Sequence, residues 1–184
     1  MMKKTYRFSI VALLLFSTII GTDALSETPV PREYIVKAAF LYNFAKFVEW
    51  PEDDFTDDQS PFVLGIFGED PFGDSLDSIK RKTVGARKLV IERSQTLEDL
   101  KKCHLIFISR SEKNDLDKII AQLKDLNVLT VSDIEGFALK GGVIGLFTAG
   151  NKIRFEINVD SAKRNGLQIS SKLLKLAKIV GSNG

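Results

Sequence analysis

The sequence predicts an α/β fold: a single compact domain with a mostly parallel sheet of about five to six strands, a C-terminal antiparallel hairpin and helices on both faces. Two observations predict this architecture. Between residues 61 and 132, short apolar runs alternate with helical segments, as in sheets whose strands are joined by helical crossovers. After residue 142, two strand-like runs flank Ala149-Gly150-Asn151, which favours a hairpin.

Each predicted strand is an apolar run bounded by turn residues or charges. Before the hairpin, the predicted strands are 61–68, 87–94, 104–109 and 128–132. The third of these, HLIFIS, is almost continuously apolar, which indicates a strand covered on both faces. In the second hairpin strand, the alternating apolar and polar residues are Ile153, Arg154, Phe155, Glu156, Ile157, Asn158 and Val159. This alternation predicts one apolar and one polar face.

The helix predictions rest on the helical spacing of apolar residues and on capping residues. The predicted helices are 37–51, 71–81, 96–102, 112–126, 160–166 and 171–180. Asp160 is predicted to cap the fifth of these helices and Ser170 the sixth.

The first helix, KAAFLYNFAKFVEWP (37–51), is apolar around most of its circumference. Surface helices normally carry one apolar stripe and an opposite polar face. We therefore expect this helix to be covered on more than one side, by its own domain or by another protein. Asn43 interrupts the apolar surface, and a buried amide without partners costs about 1–3 kcal/mol. We interpret Asn43 as a tie to a loop or strand end, with contact to a partner as the alternative.

Residues 1–26 are predicted to be a cleaved signal peptide, which leaves 27–184 as a single domain. A basic start precedes an apolar run of thirteen residues (8–20), and small residues follow it. A helix that spans a membrane needs about 20 residues, so this run is too short to remain as an anchor. The only cysteine lies far downstream, so the predicted cleavage site has no cysteine that could accept a lipid.

The composition excludes further classes of protein. The chain has 26 Lys and Arg against 24 Asp and Glu, and the predicted signal peptide holds three of the basic residues and one acidic residue, so 23 of each remain. A neutral domain argues against nucleic acid binding, which depends on basic patches. The single Cys103 excludes an internal disulfide. We interpret it as a buried, inert thiol, with intermolecular pairing as the alternative.

Groups for catalysis, cofactor binding and metal binding are scarce. His104 is the only histidine and opens an apolar strand, so we interpret it as structural rather than as part of a nucleophilic triad. The turn GEDPFGDS (68–75) has the position of a phosphate loop, but Asp74 stands where such a loop has lysine. One histidine and one cysteine cannot build a typical zinc site. We therefore predict no enzyme and no catalytic, cofactor-binding or metal-binding residues.

The predicted last helix carries Lys172, Lys175 and Lys178. Such lysines could contact anionic lipid headgroups, but they also occur wherever an amphipathic helix packs its apolar residues inward and leaves its lysines in water. We favour the second interpretation and predict no direct membrane insertion.

Five segments together resemble the YfiR-like family. They are VKAAFLYNFAKFVEWP, LGIFGEDPFG, CHLIFIS, LTVSD and NKIRFEINVDSAKRNGLQISSKLLKLAK, in the family's order and spacing. The resemblance extends from Tyr34 to Ile179. It implies a compact α/β domain in the periplasm, often found as a homodimer.

The resemblance also implies a function. Family members look like repressors of membrane-bound diguanylate cyclases, the enzymes that make cyclic di-GMP. They bind the periplasmic sensor portion of the cyclase and hold its cytoplasmic catalytic domain inactive, which restrains biofilm formation. The alternative is a periplasmic small-molecule-binding receptor, with its ligand in the crevice at the carboxyl ends of the strands.

One departure from the family concerns its cysteines. Relatives often pair the cysteine of the CH element with a cysteine on the first strand, where this sequence has Val63, Leu64 and Gly65. Redox control through that disulfide is therefore not implied for this chain.

We predict that the partner binds the last hairpin strand and the short helix after it. The predicted partner-binding residues are Glu156, Asn158, Ala162 and Lys163. An exposed sheet edge beside a helix is a common recognition surface, and Glu156 and Asn158 belong to the polar face of that strand.

Overall fold

The computed structural model describes residues 32–181, so the predicted signal peptide lies outside the described residues. The helices are α1 (Arg32–Phe47), α2 (Asp77–Lys80), α3 (Leu97–Leu100), α4 (Leu116–Leu123), α5 (Val159–Arg164) and α6 (Ser171–Leu174). Short 3-10 helices cover Glu52–Asp54, Gly73–Leu76 and Arg110–Asp115. The helices predicted over 71–81 and 112–126 are therefore each divided into a 3-10 turn and a shorter α-helix.

Ten strands follow from the apolar runs and from pairing between distant segments. They are β1 (Val48–Glu49), β2 (Phe62–Phe67), β3 (Thr83–Val84), β4 (Arg87–Ser94), β5 (Leu105–Ile108), β6 (Leu129–Ser132), β7 (Ile144–Ala149), β8 (Lys152–Asn158), β9 (Gln168–Ile169) and β10 (Lys178–Val180). Eight of them form one sheet in the order β10-β8-β7-β6-β5-β2-β4-β3, and β1 pairs with β9 separately.

The large sheet is mixed. Five of its neighbouring pairs are parallel, whereas β7 with β8 and β3 with β4 are antiparallel. The α/β class and the C-terminal hairpin are thus confirmed. The predicted number of five to six strands is wrong, because the short strands β3 and β10 extend the sheet to eight.

Helices pack on both faces of the sheet because its central strands are apolar on both sides. On β5, Leu105 and Phe107 belong to one hydrophobic core, and Ile106 and Ile108 belong to the other. The helices α1 and α2 contribute to the first core, and α3 and α4 to the second. All four residues of β5 are buried, as predicted for a strand covered on both faces.

The long helix α1 spans the first face from one end of the parallel strands to the other. Near its start, Lys37 contacts Asp133, which follows β6 directly. Just beyond its end, the Trp50 Nε1–H donates a hydrogen bond of 3.1 Å to the carbonyl of His104, at the amino end of β5. The beginning of α1 therefore lies at the carboxyl edge of the sheet.

The end of the chain differs from the prediction. The helix α6 ends at Leu174, although Ser170 caps it as predicted, with its Oγ accepting a hydrogen bond of 3.3 Å from the Leu173 N–H. Residues Lys178–Val180 are not helical; they form β10 and pair in parallel with β8. Ile179 and Val180 are β-branched and therefore favour an extended conformation, and without β10 the edge of β8 that faces away from β7 would be unpaired. The exposed sheet edge predicted at β8 is therefore wrong, because β10 occupies it.

The cap of α5 also differs. Asp160 was the predicted cap, but the Asn158 side chain accepts a hydrogen bond of 2.9 Å from the Ser161 N–H. The helix begins earlier because the chain leaves β8 directly into its first turn.

Candidate functional site

The four predicted partner-binding residues lie on β8 and α5, but three of them are buried. The exposed fractions of Glu156, Asn158 and Ala162 are 8%, 6% and 1%, whereas Lys163 is exposed. The Asn158 amide is committed inside the domain, since its Nδ2 donates a hydrogen bond of 2.8 Å to the carbonyl of Ala138. Contact of these residues with a partner stays a prediction, and in this structure only Lys163 presents its side chain at the surface.

Glu156 instead lines a charged cleft at the carboxyl edge of the sheet. The cleft has a volume of about 410 Å³, and its charged walls include Lys37 of α1, Arg110 after β5, Asp133 after β6 and Lys178 of β10. Lys178 Nζ lies 3.3 Å from Glu156 Oε2. Positive and negative groups are thus paired along the walls of the charged cleft.

Asp133 is the centre of a buried ion network in this cleft. Its Oδ2 accepts hydrogen bonds from the Tyr34 hydroxyl at 3.0 Å and from Lys37 Nζ at 2.5 Å, and Arg110 Nε lies 3.2 Å away. The side chains of Lys37 and Asp133 are only 2% and 1% exposed. Among the described residues, Asp133 Oδ1 has no hydrogen-bond partner. The network fixes the start of α1 to the end of β6.

The Tyr34 hydroxyl stays protonated in this network. Burial raises the pKa of Tyr34 far above its ordinary value, and the charge of Asp133 raises it further. A carboxylate that already accepts hydrogen bonds from a phenol and an ammonium group is held in place as an anchor. The arrangement therefore favours a structural role for Asp133 over proton transfer.

His104 is enclosed by aromatic rings at the opposite, amino edge of the sheet. Its ring is stacked on Phe55 at a centroid distance of 4.4 Å and on Phe62 at 5.0 Å. The Val63 N–H donates a hydrogen bond of 3.0 Å to Nδ1, which must therefore keep its lone pair. Burial lowers the pKa of His104 below its ordinary value. These contacts agree with the structural role predicted for this residue.

We expect the free energy of unfolding to decrease as the pH falls from about 7.5 to about 5.5. The pKa of His104 is lower in the folded protein than the value of about 6.5 in the unfolded chain, so the unfolded chain binds more protons in this range and stability is lost on acidification. Chemical denaturation at a series of pH values measures this slope. Because His104 is the only histidine, His104→Phe should flatten the slope between these pH values. An equal slope in the variant would contradict the assignment.

Cys103 is buried against β2. Burial and, to a smaller extent, the negative charge of the nearby Glu92 raise the pKa of its thiol to about 12. The strand β2 passes the thiol at Gly65, where an added Cβ atom would lie 3.0 Å from Cys103 Sγ and 3.4 Å from Cys103 Cβ. The burial predicted for this thiol is confirmed, and its inertness stays a prediction.

A second concavity, the apolar groove, lies on the same face of the sheet as α1. It has a volume of about 190 Å³ and is lined by Phe40, Asn43, Phe44, Phe47, Phe155, Lys172, Leu173 and Leu176. Three aromatic rings form its floor, with centroids 5.5 Å apart for Phe40 and Phe155 and 5.1 Å apart for Phe44 and Phe155. One wall belongs to α1 and the other to the segment that contains α6.

The interpretation of Asn43 as a buried tie is wrong, because its side chain is exposed beside the apolar groove. The ties of α1 to the rest of the domain are made by Lys37 and, just beyond the helix, by Trp50. Coverage of α1 by its own domain is also incomplete, since Ile35 and Val36 remain 51% and 45% exposed.

Two classes of site do not occur in the part of the chain that the structure describes. Within residues 32–181, no three His, Cys, Asp or Glu side chains come together as potential metal ligands. Over the same range, no helix combines the length and the apolar character that a membrane span requires.

A family model described as YfiR/HmsC-like matches residues 34–178. The chain belongs to the YfiR/HmsC-like family. The match begins in α1 and ends in β10, so it includes the charged cleft, the apolar groove and the four predicted partner-binding residues. The resemblance found in the sequence is therefore confirmed.

The fold of this YfiR/HmsC-like domain is similar to a crystal structure described as a conserved domain protein from Vibrio cholerae O1 biovar El Tor str. N16961. The TM-score is 0.52 and the sequence identity is 11%, over 79% of this chain and 59% of that chain. The YfiR/HmsC-like chain thus spans about three fifths of the length of that protein. At this identity, the similarity shows a shared fold alone.

Proposed function

We propose that this YfiR/HmsC-like protein is a periplasmic regulator that binds the periplasmic sensor portion of a membrane-bound diguanylate cyclase. Binding represses the cyclase, lowers cyclic di-GMP and restrains biofilm formation. The observation that carries the proposal is the family match over residues 34–178, which covers nearly all of the described domain.

The geometry supports action by contact with another protein. The two side chains best suited to nucleophilic or acid–base chemistry, Cys103 and His104, are buried. Burial raises the pKa of Cys103 and lowers that of His104, so it favours the neutral form of each side chain. Large apolar side chains, in contrast, are exposed on α1 and near the end of the chain, as in surfaces that bind proteins.

Repression by binding requires a difference in affinity. A ligand changes the balance between the active and inactive cyclase only if it binds the inactive form more tightly. Converting a ratio of about 1:99 into 99:1 takes roughly 5.5 kcal/mol of differential binding. A rigid domain with a preformed surface suits this role, because little binding energy is then spent on ordering the repressor.

We expect deletion of the gene to raise cellular cyclic di-GMP, and a plasmid copy of the full chain to restore the original level. Quantification of cyclic di-GMP by mass spectrometry, with biofilm mass as a second measurement, checks this. A copy without residues 1–26, which should remain in the cytoplasm, is the matched control and should not restore repression. An unchanged level of cyclic di-GMP in the deletion strain, in growth conditions in which a membrane-bound cyclase is expressed, would contradict the proposal.

The charged cleft favours a second candidate function, a periplasmic small-molecule receptor. It lies beside the carboxyl ends of β5 and β6, where ligands bind in many α/β folds, and the carboxylates of Asp133 and Glu156 line it. Thermal unfolding across a panel of metabolites, with native mass spectrometry of the purified protein, tests this function. A ligand that stabilises the wild type but not Asp133→Asn would support it.

A further inference from the structure

We infer that the apolar groove is the docking site for an acidic amphipathic helix of the protein partner. This inference rests on the proposed function, because it names the surface by which the domain holds the periplasmic portion of the cyclase. It replaces the edge of β8, which β10 covers.

Exposed apolar side chains occur on one wall of this groove, at Leu176, and on the elements that form its two walls, α1 and the segment after α6. Six large hydrophobic residues of the described chain are exposed: Ile35, Val36, Val90, Leu139, Leu176 and Ile179. Four of the six belong to α1 or to the last residues of the chain, and Leu176 has the largest exposed fraction, at 75%. Concentrated apolar exposure of this kind marks a surface that another molecule covers.

The shape of the groove suits a helix. Phe40, Asn43 and Phe47 line the groove at helical spacing over about 10 Å, or two turns of α1, and Val36 continues the same stripe one turn earlier. The opposite wall begins where the Ser170 N–H donates a hydrogen bond of 2.9 Å to the carbonyl of Phe47, and it continues past Leu173 to Leu176. An amphipathic helix that lies between these walls would place its apolar residues on the aromatic floor.

The charge of the C-terminal wall sets the chemistry of the partner. Residues 161–181 contain no acidic side chain. Of their basic side chains, Lys172 lines the groove and Lys175 precedes Leu176 directly, whereas Lys178 is paired with Glu156 in the charged cleft. A partner helix with Asp or Glu beside its apolar stripe would complement this wall.

The same charge argues against a second copy of this chain in the groove. A symmetric dimer formed through this surface would place the lysine-rich wall of one copy near that of the other, and like charges across an interface cost free energy. The concave aromatic floor likewise argues against a flat membrane surface, which would leave Phe44 and Phe155 without contact.

Binding of purified variants to the purified periplasmic portions of the membrane-bound diguanylate cyclases of the same genome tests the inference. Leu176→Asp places a charge on an exposed position of the groove and Val36→Asp places one on α1 one turn before Phe40, where a longer helix would extend beyond the groove; Leu176→Asp should weaken binding at least about tenfold and Val36→Asp should weaken it less. Leu139→Asp is the matched control, because Leu139 is 66% exposed and does not line the groove. Lys172→Glu/Lys175→Glu should weaken binding and reduce its dependence on salt, whereas Lys88→Glu, on β4, should change neither.

The outcomes separate the inference from the proposed function. If the wild type binds a cyclase portion and Leu176→Asp binds as well as Leu139→Asp, the inference fails and the proposed function stands. If the wild type binds no cyclase portion, the proposed function fails. The docking site is then tested by photo-cross-linking in living cells, with a photoreactive residue introduced at position 176 and, as the control, at position 139.

A cross-link from position 176 that maps to an acidic amphipathic helix of an identified protein supports the docking site. A cross-link to a second copy of this chain, or no cross-link beyond that seen from position 139, overturns it. Binding of the purified domain to vesicles of phosphatidylcholine and phosphatidylglycerol, with loss of binding in Leu176→Asp, would assign the groove to a membrane surface and also overturn the inference.

Discussion

Replacement of Lys37 by methionine should lower the free energy of unfolding by about 3–5 kcal/mol. The ammonium group of Lys37 lies 2.5 Å from Asp133 Oδ2, and both side chains are almost completely buried. Methionine fills similar space but removes the buried positive charge beside the Asp133 carboxylate, which then keeps only Tyr34 and the more exposed Arg110 as partners. Denaturation with urea, followed by the fluorescence of Trp50, measures the loss.

Two further variants show whether the buried charge is the cause. Lys37→Met/Asp133→Asn removes the charge and keeps an acceptor for the Tyr34 hydroxyl, so it should recover part of the lost stability. Lys46→Met changes an exposed lysine on the same helix and should stay within about 0.5 kcal/mol of the wild type. Equal stability of the two methionine variants would contradict the role given to Lys37.

Replacement of Gly65 by cysteine should create a disulfide with Cys103 that raises the free energy of unfolding by about 2–4 kcal/mol. A Cβ atom at position 65 would lie 3.4 Å from Cys103 Cβ, at the short end of the range of about 3.5–4.5 Å found in disulfides. The bond would join β2 to Cys103, which lies two residues before the start of β5.

The same variant without the disulfide should behave in the opposite way. In reductant, the added side chain must share the space of the Cys103 thiol, so Gly65→Cys should be less stable than the wild type by about 1–3 kcal/mol. Gly65→Ala should be destabilised with or without reductant, since it adds the Cβ atom but cannot form a bond. Two free thiols in Gly65→Cys after air oxidation, or equal stability with and without reductant, would exclude the predicted geometry.

Local patterns were sufficient for most of the fold. The strand predicted over 87–94 has the observed bounds of β4. Those predicted over 61–68 and 104–109 are one residue longer at each end than β2 and β5, and that over 128–132 is one residue longer at its start than β6. These strands are apolar runs between turn residues, and their partners are also apolar strands, so local preference and tertiary packing agree.

Prediction failed where distant residues decide the local structure. The segment 175–180 has helical spacing, but the free side of β8 lies next to it in the fold and draws Lys178–Val180 into the sheet. Nothing near Lys37 in the sequence indicates burial, because its partner Asp133 lies 96 residues away. The alternation of Glu156 with apolar residues predicts exposure, but the walls of the charged cleft, which include Lys37 of α1 and Lys178 of β10, enclose its side chain.

The candidate surface was only partly accessible to sequence analysis. The apolar excess of α1 predicts cover on more than one side, by its own domain or by another protein, and the domain covers the helix only in part, since Ile35 and Val36 stay exposed. The place of Lys172 beside the aromatic floor of the apolar groove depends on the path of the chain from Ser170 to β10. Pairwise geometry of this kind has no signature in a single sequence.

The packing of α1 against β8 has a consequence for how this domain acquires its structure. Phe40 and Phe44 reach their partner Phe155 across more than a hundred residues, and β8 in turn needs β10, near the end of the described chain. Contacts between such distant parts of a polypeptide form slowly. Until the C-terminal residues are available, the aromatic side chains of α1 remain open to aggregation, so newly synthesised molecules should depend on chaperones during this interval.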